Sequence, residues 1–213
     1  MTPEQSFEKT RVVAIVRGVD GQLLRPLLEA LWKGGIRLAE ITLNTAAALA
    51  SIREMRAAFD GRMHVGAGTV VDSDGLERAL EAGAEFIVAP NTDPRVIETC
   101  RGRGILAFPG ALTPTEIAEA VGCGSRYVKI FPAGFAGPRY FREVLGPFDR
   151  ARLVAVGGVG PDNAADFMAA GAVGVGVGGG LCRPELLRAG DFAGVSRLAS
   201  RLLSVCRPAD GKE

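Results

Sequence analysis

Residues 153–180 read LVAVGGVGPDNAADFMAAGAVGVGVGGG, and the order of their parts decides the fold. An apolar run, Leu153 to Val156, ends in a glycine pair, and a stretch closing on Ala169-Ala170-Gly171-Ala172 follows. A second apolar run, Val173 to Val177, then ends in another glycine cluster. Short runs without polar alternation suit strands covered on both faces, as in parallel sheets. Glycine just ahead of the second run is where a helix closes in a left-handed cap.

The same beat extends outward through the chain. Runs at Val12 to Val16, Leu38 to Leu43, Met63 to Gly66, Phe86 to Ala89, Leu106 to Phe108 and Tyr127 to Phe131 bring the strands to about eight. Helical periodicity covers Gln22 to Trp32, Ala46 to Phe59, Gly75 to Ala82, Ile117 to Val121 and Phe192 to Cys206. The glycine punctuation recurs at Lys33-Gly34-Gly35 and Glu81-Ala82-Gly83-Ala84. Eight such units close naturally into a (β/α)8 TIM barrel. An open doubly wound sheet is the rival, but it normally has fewer strands, and no linker or composition break divides the chain. The expectation is a single (β/α)8 domain over residues 1–213, with short loops because 213 residues fall below the roughly 250 typical of the fold.

Composition bounds the function. With 47% hydrophobic residues the chain can bury a large core, and 25 basic residues nearly cancel 24 acidic ones. No global field therefore favours nucleic acid or a membrane surface, and anion recognition must be local. The first ten residues lack the basic and apolar parts of a signal peptide, and no run of about 18 apolar residues follows, which points to a cytoplasmic protein. Cys100, Cys123, Cys182 and Cys206 have no CxxC or zinc-like spacing and read as reduced structural thiols. His64 is the single histidine and begins a strand, so it reads as structural. That excludes a histidine-rich metal site and leaves open a weak oxygen-only Mg²⁺ site.

In a barrel, polar side chains at the carboxyl ends of strands converge on one mouth. Arg17, Glu40, Thr69, Asn91 and Lys129 hold such positions. The chain has four lysines, and Lys9, Lys33 and Lys212 fall in helical or terminal segments. Lys129, among Val128, Ile130 and Phe131, would be desolvated, which favours a free amine able to attack a ketone. A snorkelling or ion-paired lysine is the alternative. Glu40, between Ala39 and Ile41, is either half of an internal ion pair or a proton shuttle with a raised pKa. Arg17 and Thr69 suit a keto-acid carboxylate, and Arg17 could also brace Glu40. The clusters Val156-Gly157-Gly158-Val159 and Gly176 to Gly180 offer backbone amides where barrels often hold phosphate, or else are tight turns.

From about Val12 to Arg183 the chain resembles the KDPG/KHG aldolases, imine-forming enzymes that split 2-keto-3-deoxy-6-phospho sugar acids. The resemblance is carried by Glu40-Ile-Thr-Leu-Asn-Thr45, Gly66-Ala-Gly-Thr-Val70, Phe108-Pro-Gly110, Val128-Lys-Ile-Phe-Pro132 and Ala155-Val-Gly-Gly-Val159. It implies that Lys129 forms the Schiff base and Glu40 is the general acid and base. It further implies pyruvate-end ligands at Arg17 and Thr69, cavity walls at Pro90 and Phe131, and phosphate contacts at Gly157, Gly158, Gly178 and Gly179. A homotrimer without metal or organic cofactor is also implied, with a phosphorylated keto-deoxy sugar acid and pyruvate as its small-molecule partners. Asn44 stands where the gluconate-type enzymes usually carry arginine, and Val156 where they carry threonine. Asn44, Pro90-Asn91 and Val156 look more like the branch that opens 2-dehydro-3-deoxy-6-phosphogalactonate. The two substrates differ in configuration at C4, so a changed hydroxyl partner there is a sensible discriminator. The serine often found in the last phosphate loop is replaced within Gly178-Gly179-Gly180. A phosphosugar isomerase or epimerase with Glu40 as base, or a noncatalytic sugar-phosphate binder, is the competing reading of the same pocket.

Overall fold

The computed structural model describes residues 1–207; Lys212 and the remainder of 208–213 lie outside them. The strands are β1 (Val12–Val16), β2 (Leu38–Thr42), β3 (His64–Gly68), β4 (Phe86–Val88), β5 (Leu106–Phe108), β6 (Gly110–Ala111), β7 (Val128–Ile130), β8 (Leu153–Val156) and β9 (Gly174–Val177). Hydrogen bonding runs in the order β5-β4-β3-β2-β1-β9-β8-β7-β6. β5 and β6 end that order on opposite sides, yet only Pro109 separates them in the chain. They are two halves of one stave, and the sheet closes on itself as the expected (β/α)8 barrel.

Proline accounts for the change of partner in that stave, since it has no N–H to continue a ladder. Its carbonyl instead accepts from the Lys129 amide at 2.8 Å, while Gly110 N–H donates to the Asn91 carbonyl at 3.2 Å. The fifth stave therefore passes beyond Phe108, where the apolar run ends, to Ala111.

Around the staves lie α1 (Pro3–Thr10), α2 (Gly21–Lys33), α3 (Ala48–Ala58), α4 (Ser73–Glu81), α5 (Pro94–Gly102), α6 (Pro114–Gly122), α7 (Ala133–Leu145), α8 (Ala164–Ala169), α9 (Pro184–Ala189) and α10 (Phe192–Cys206). The five helices read from periodicity are all present. Caps set their ends: Asp72 accepts from Gly75 N–H, and Thr113 with Glu116 forms a capping box, so α4 and α6 start ahead of their apolar pattern. α3 starts later than Ala46 because Ala47 is left-handed, at φ 55°. α1 was not legible as an amphipathic helix; a Thr2–Gln5 capping box and Pro3 at its first turn define it.

Strand alternation sorts the core into two layers. Val12, Ala14 and Val16 pack outward under the helices, whereas Val13, Leu38, Phe86, Phe108, Tyr127 and Val154 fill the barrel interior. α1 closes the amino-terminal end: Phe7 meets the rings of Phe108 and Tyr127 edge-on, each at 4.9 Å between centroids. Inward positions of β3 after His64, and those of β9, are glycine. A Cβ at Gly66 would meet Phe86, and one at Gly174 would meet Phe7, both under 3.0 Å. These glycines are small so that the aromatic floor fits. His64 lies at this closed end, its Nδ1 2.8 Å from Glu85 and its Nε2 3.1 Å from Ser6, in keeping with a structural role.

Candidate active site

The alternation that puts Leu38 and Tyr127 on the floor puts Glu40 and Lys129 in the same interior, two residues nearer the carboxyl ends of β2 and β7. Glu40 is 1% exposed and Lys129 4%. No direct ion pair joins them among the described residues, and Glu40 Oε2 is buried there without a hydrogen-bond partner. An unpaired buried carboxylate oxygen costs roughly 1–3 kcal/mol, a cost that stability alone does not explain. The ammonium of Lys129 lies 5.0 Å from the centre of the Phe131 ring.

Burial pushes the Glu40 carboxyl up to about 7, against the pull of the Lys129 and Arg17 charges. Burial also lowers the Lys129 ammonium from the usual lysine range; Glu40 opposes that shift and Arg17 adds to it. Both groups move toward their neutral forms. A neutral amine is a nucleophile, and a carboxyl titrating near 7 can both give and take a proton.

Lys129, Arg17 and Phe131 line an open cavity of about 680 Å³ at the carboxyl ends of the staves, together with Val156. The glycines 157, 158, 178 and 179 form its far side. Glu40 sits behind, in a narrow cleft that shares Lys129, Val156 and Gly176 with this cavity and has room for about one water. Arg17 Nη2 donates to Thr69 Oγ1 at 3.4 Å. Thr69 is left-handed, at φ 60°. A β-branched residue rarely accepts that conformation, and such strain gathers at functional sites.

Three further expected residues do not line this cavity: Thr69, which reaches it through its bond to Arg17, and Asn44 and Pro90. Asn44 lines a neighbouring cavity of about 480 Å³ with Thr45, Thr69 and Asp72, on the other side of the Arg17–Thr69 bridge. Pro90 follows β4; its backbone carbonyl lies 2.4 Å from where a Cβ at Gly110 would be, against the fifth stave, and it does not line the open cavity. Conversely, Asn163, Asp162 and Cys182 line the cavity without having been singled out. The turn-forming sequence Gly160-Pro161-Asp162-Asn163 right after a strand-end glycine pair was the available signal for the first two.

The glycine loops are held in defined shapes. Gly157 and Gly158 are left-handed, at φ 86° and 72°. Gly134 N–H donates to the Gly157 carbonyl at 2.7 Å, and Leu181 and Cys182 N–H both donate to the Gly178 carbonyl at 2.9 Å. Among the described residues, the amides of Gly158, Gly179 and Gly180 have no backbone partner. Neither a helix long and apolar enough to cross a membrane nor a cluster of three metal-ligating side chains occurs among these residues.

Known proteins agree with this architecture. The model of the KDPG and KHG aldolase family matches residues 4–198. The 2-dehydro-3-deoxy-phosphogluconate aldolase of Treponema pallidum is 34% identical, over 94% of this chain and 96% of that protein. The 2-dehydro-3-deoxy-6-phosphogalactonate aldolase of Escherichia coli is also 34% identical, over 82% of this chain and 86% of that one. The crystal structure of 2-keto-3-deoxy-6-phospho-gluconate aldolase from Zymomonas mobilis superposes with a TM-score of 0.85 at 26% identity, covering 97% of this chain and 98% of that chain. The protein is thus an aldolase, a carbon–carbon lyase. More particularly, the chain belongs to the KDPG and KHG aldolase family.

Proposed function

We propose that the protein cleaves 2-dehydro-3-deoxy-6-phosphogalactonate to pyruvate and glyceraldehyde 3-phosphate through a Schiff base on Lys129. The observation that carries this reading is a lysine 4% exposed, shifted toward the free amine, in the same interior as a carboxyl titrating near 7. The amine adds to the C2 ketone, water leaves, and the resulting iminium draws electrons from the C3–C4 bond. Glu40, directly or through one water, takes the C4 hydroxyl proton as that bond breaks, releasing the aldehyde. The enamine is then protonated at C3, and water hydrolyses the imine to free pyruvate and Lys129. Arg17 and Thr69 hold the keto-acid carboxylate, and Phe131 covers the reacting amine. The amides around Gly157, Gly158, Gly178 and Gly179 take the phosphate.

The galactonate epimer is favoured by Val156, which offers no hydroxyl to the cavity; Asn44 supports it only through the family resemblance, since it lines the neighbouring cavity. The gluconate epimer is the second reading, because the Treponema pallidum relative named for it aligns over 94% of this chain. Cleavage of the two epimers side by side, followed by pyruvate release, tests the preference: a higher kcat/KM on the galactonate form is expected, and equal rates or the reverse order overturn it. A homotrimer belongs to the same reading. It draws support from the family resemblance and from a designed cage of fused symmetric oligomeric domains that matches this fold with a TM-score of 0.83 at 28% identity.

A further inference from the structure

The residue that shapes the glycine loop after β8 is neither a glycine nor a charged group. Asn163 precedes α8, where an asparagine ordinarily turns its side chain forward to cap the helix amides. Here it makes no such bond. Its Oδ1 instead accepts from Gly160 N–H at 2.9 Å, and its Nδ2 donates to the Gly158 carbonyl, also at 2.9 Å. Both ends of one amide are thus spent on the loop behind it.

Those two bonds act with a third. Gly134 N–H holds the Gly157 carbonyl at 2.7 Å. With the carbonyls of Gly157 and Gly158 both engaged, the loop keeps its left-handed turns, φ 86° and 72°, and leaves the Gly158 amide without a partner among the described residues. The backbone there has little freedom to rearrange, because a Cβ on Gly158 would come within 3.0 Å of the Gly134 Cα. Asn163 also lines the cavity, although no atom of it need touch a ligand for the loop to hold its shape.

We propose that Asn163 is a positioning residue for the phosphate end of the substrate: it fixes the 157–160 loop so that the unpartnered Gly158 amide is preorganised for an anion before one arrives. The inference rests on the phosphate assignment made under the proposed function. Preorganised donors cost no rearrangement on binding, and losing them is felt where the anion binds rather than where the bond breaks. Only an amide side chain meets both demands; aspartate would keep the acceptor for Gly160 and oppose the Gly158 carbonyl with a second acceptor.

The test is the kinetics of N163A on the phosphorylated keto-deoxy acid and on its unphosphorylated counterpart, with borohydride trapping of pyruvate as a control. A rise in KM of about tenfold or more is expected for the phosphorylated substrate alone, with kcat and trapping near wild type. Equal losses on both substrates, or none on either, overturn the inference while leaving the aldolase reading intact. A wild-type enzyme indifferent to the phosphate overturns the phosphate assignment and this inference together. Should N163A fold poorly, N163S, which is uncharged and too short to hold both Gly160 and Gly158, is read by the same criteria.

Discussion

Gly68 stands directly against the carboxyl of Glu40: a Cβ at position 68 would lie 2.4 Å from Oε1 and 2.7 Å from Cδ. The acid is held in its cleft by the absence of a side chain on the neighbouring strand. G68A forces Glu40 to move, and overpacking of this kind costs about 1–3 kcal/mol. Cleavage is expected to fall more than stability does, by roughly 100-fold for a displacement near 1 Å. Parallel measurement of kcat and of the denaturation midpoint checks this, and an unchanged kcat would contradict it.

Glu40 also ties stability to pH. Its folded pKa, about 7, lies above the ordinary carboxyl value of 4.5, so the native state binds the proton more tightly than the unfolded chain does. Its titration costs nothing well below pH 4.5, destabilises the fold progressively between 4.5 and about 7, and levels off above that. E40Q removes that penalty, and a gain of roughly 1–3 kcal/mol at pH 8 that vanishes near pH 4 is expected. Denaturant titrations at the two pH values measure it. A loss of stability at pH 8 would show that Glu40 is ionised and well paired.

Arg17 bonds to Thr69 and to no carboxylate among the described residues. If its fork is kept for the substrate carboxylate, R17K retains the charge but loses the planar pair of donors. KM for the keto acid should rise about 10- to 100-fold, with little change in melting temperature. A matching loss of stability without a change in KM would assign Arg17 to bracing Glu40 instead.

Phe7 tests the floor independently of the chemistry. It is 1% exposed and contacts two rings at the closed end of the barrel. F7A should cost about 3–5 kcal/mol while the surviving folded enzyme keeps a near-normal KM. Chemical denaturation with active-site titration separates the two effects.

The barrel was legible because its staves are apolar runs and its helices end in glycine, as at Ala169-Ala170-Gly171 before β9. The break at Pro109 was not, because a two-residue strand such as Gly110–Ala111 carries no periodicity. Lys129 and Glu40 could be singled out in the sequence, since a charge inside a short apolar strand must face either the barrel interior or the layer of helices, and both are covered. Asn44 and Pro90 illustrate the reverse case. Both follow strands and so invite placement at the open cavity, but loop geometry beyond the strand end turns Asn44 into the cavity beside Thr69 and sets the Pro90 backbone against Gly110. Asn163 escaped notice because its partners, the Gly160 amide and the Gly158 carbonyl, are backbone groups.

The proposed chemistry stands or falls on Lys129 as the imine-forming amine. Borohydride reduction in the presence of pyruvate, followed by peptide mass mapping, tests it most directly. A single reduced pyruvyl adduct is expected on the peptide carrying Lys129, and none in K129A that remains folded. An adduct on Lys9, Lys33 or Lys212, or cleavage activity that survives in K129A, would contradict it.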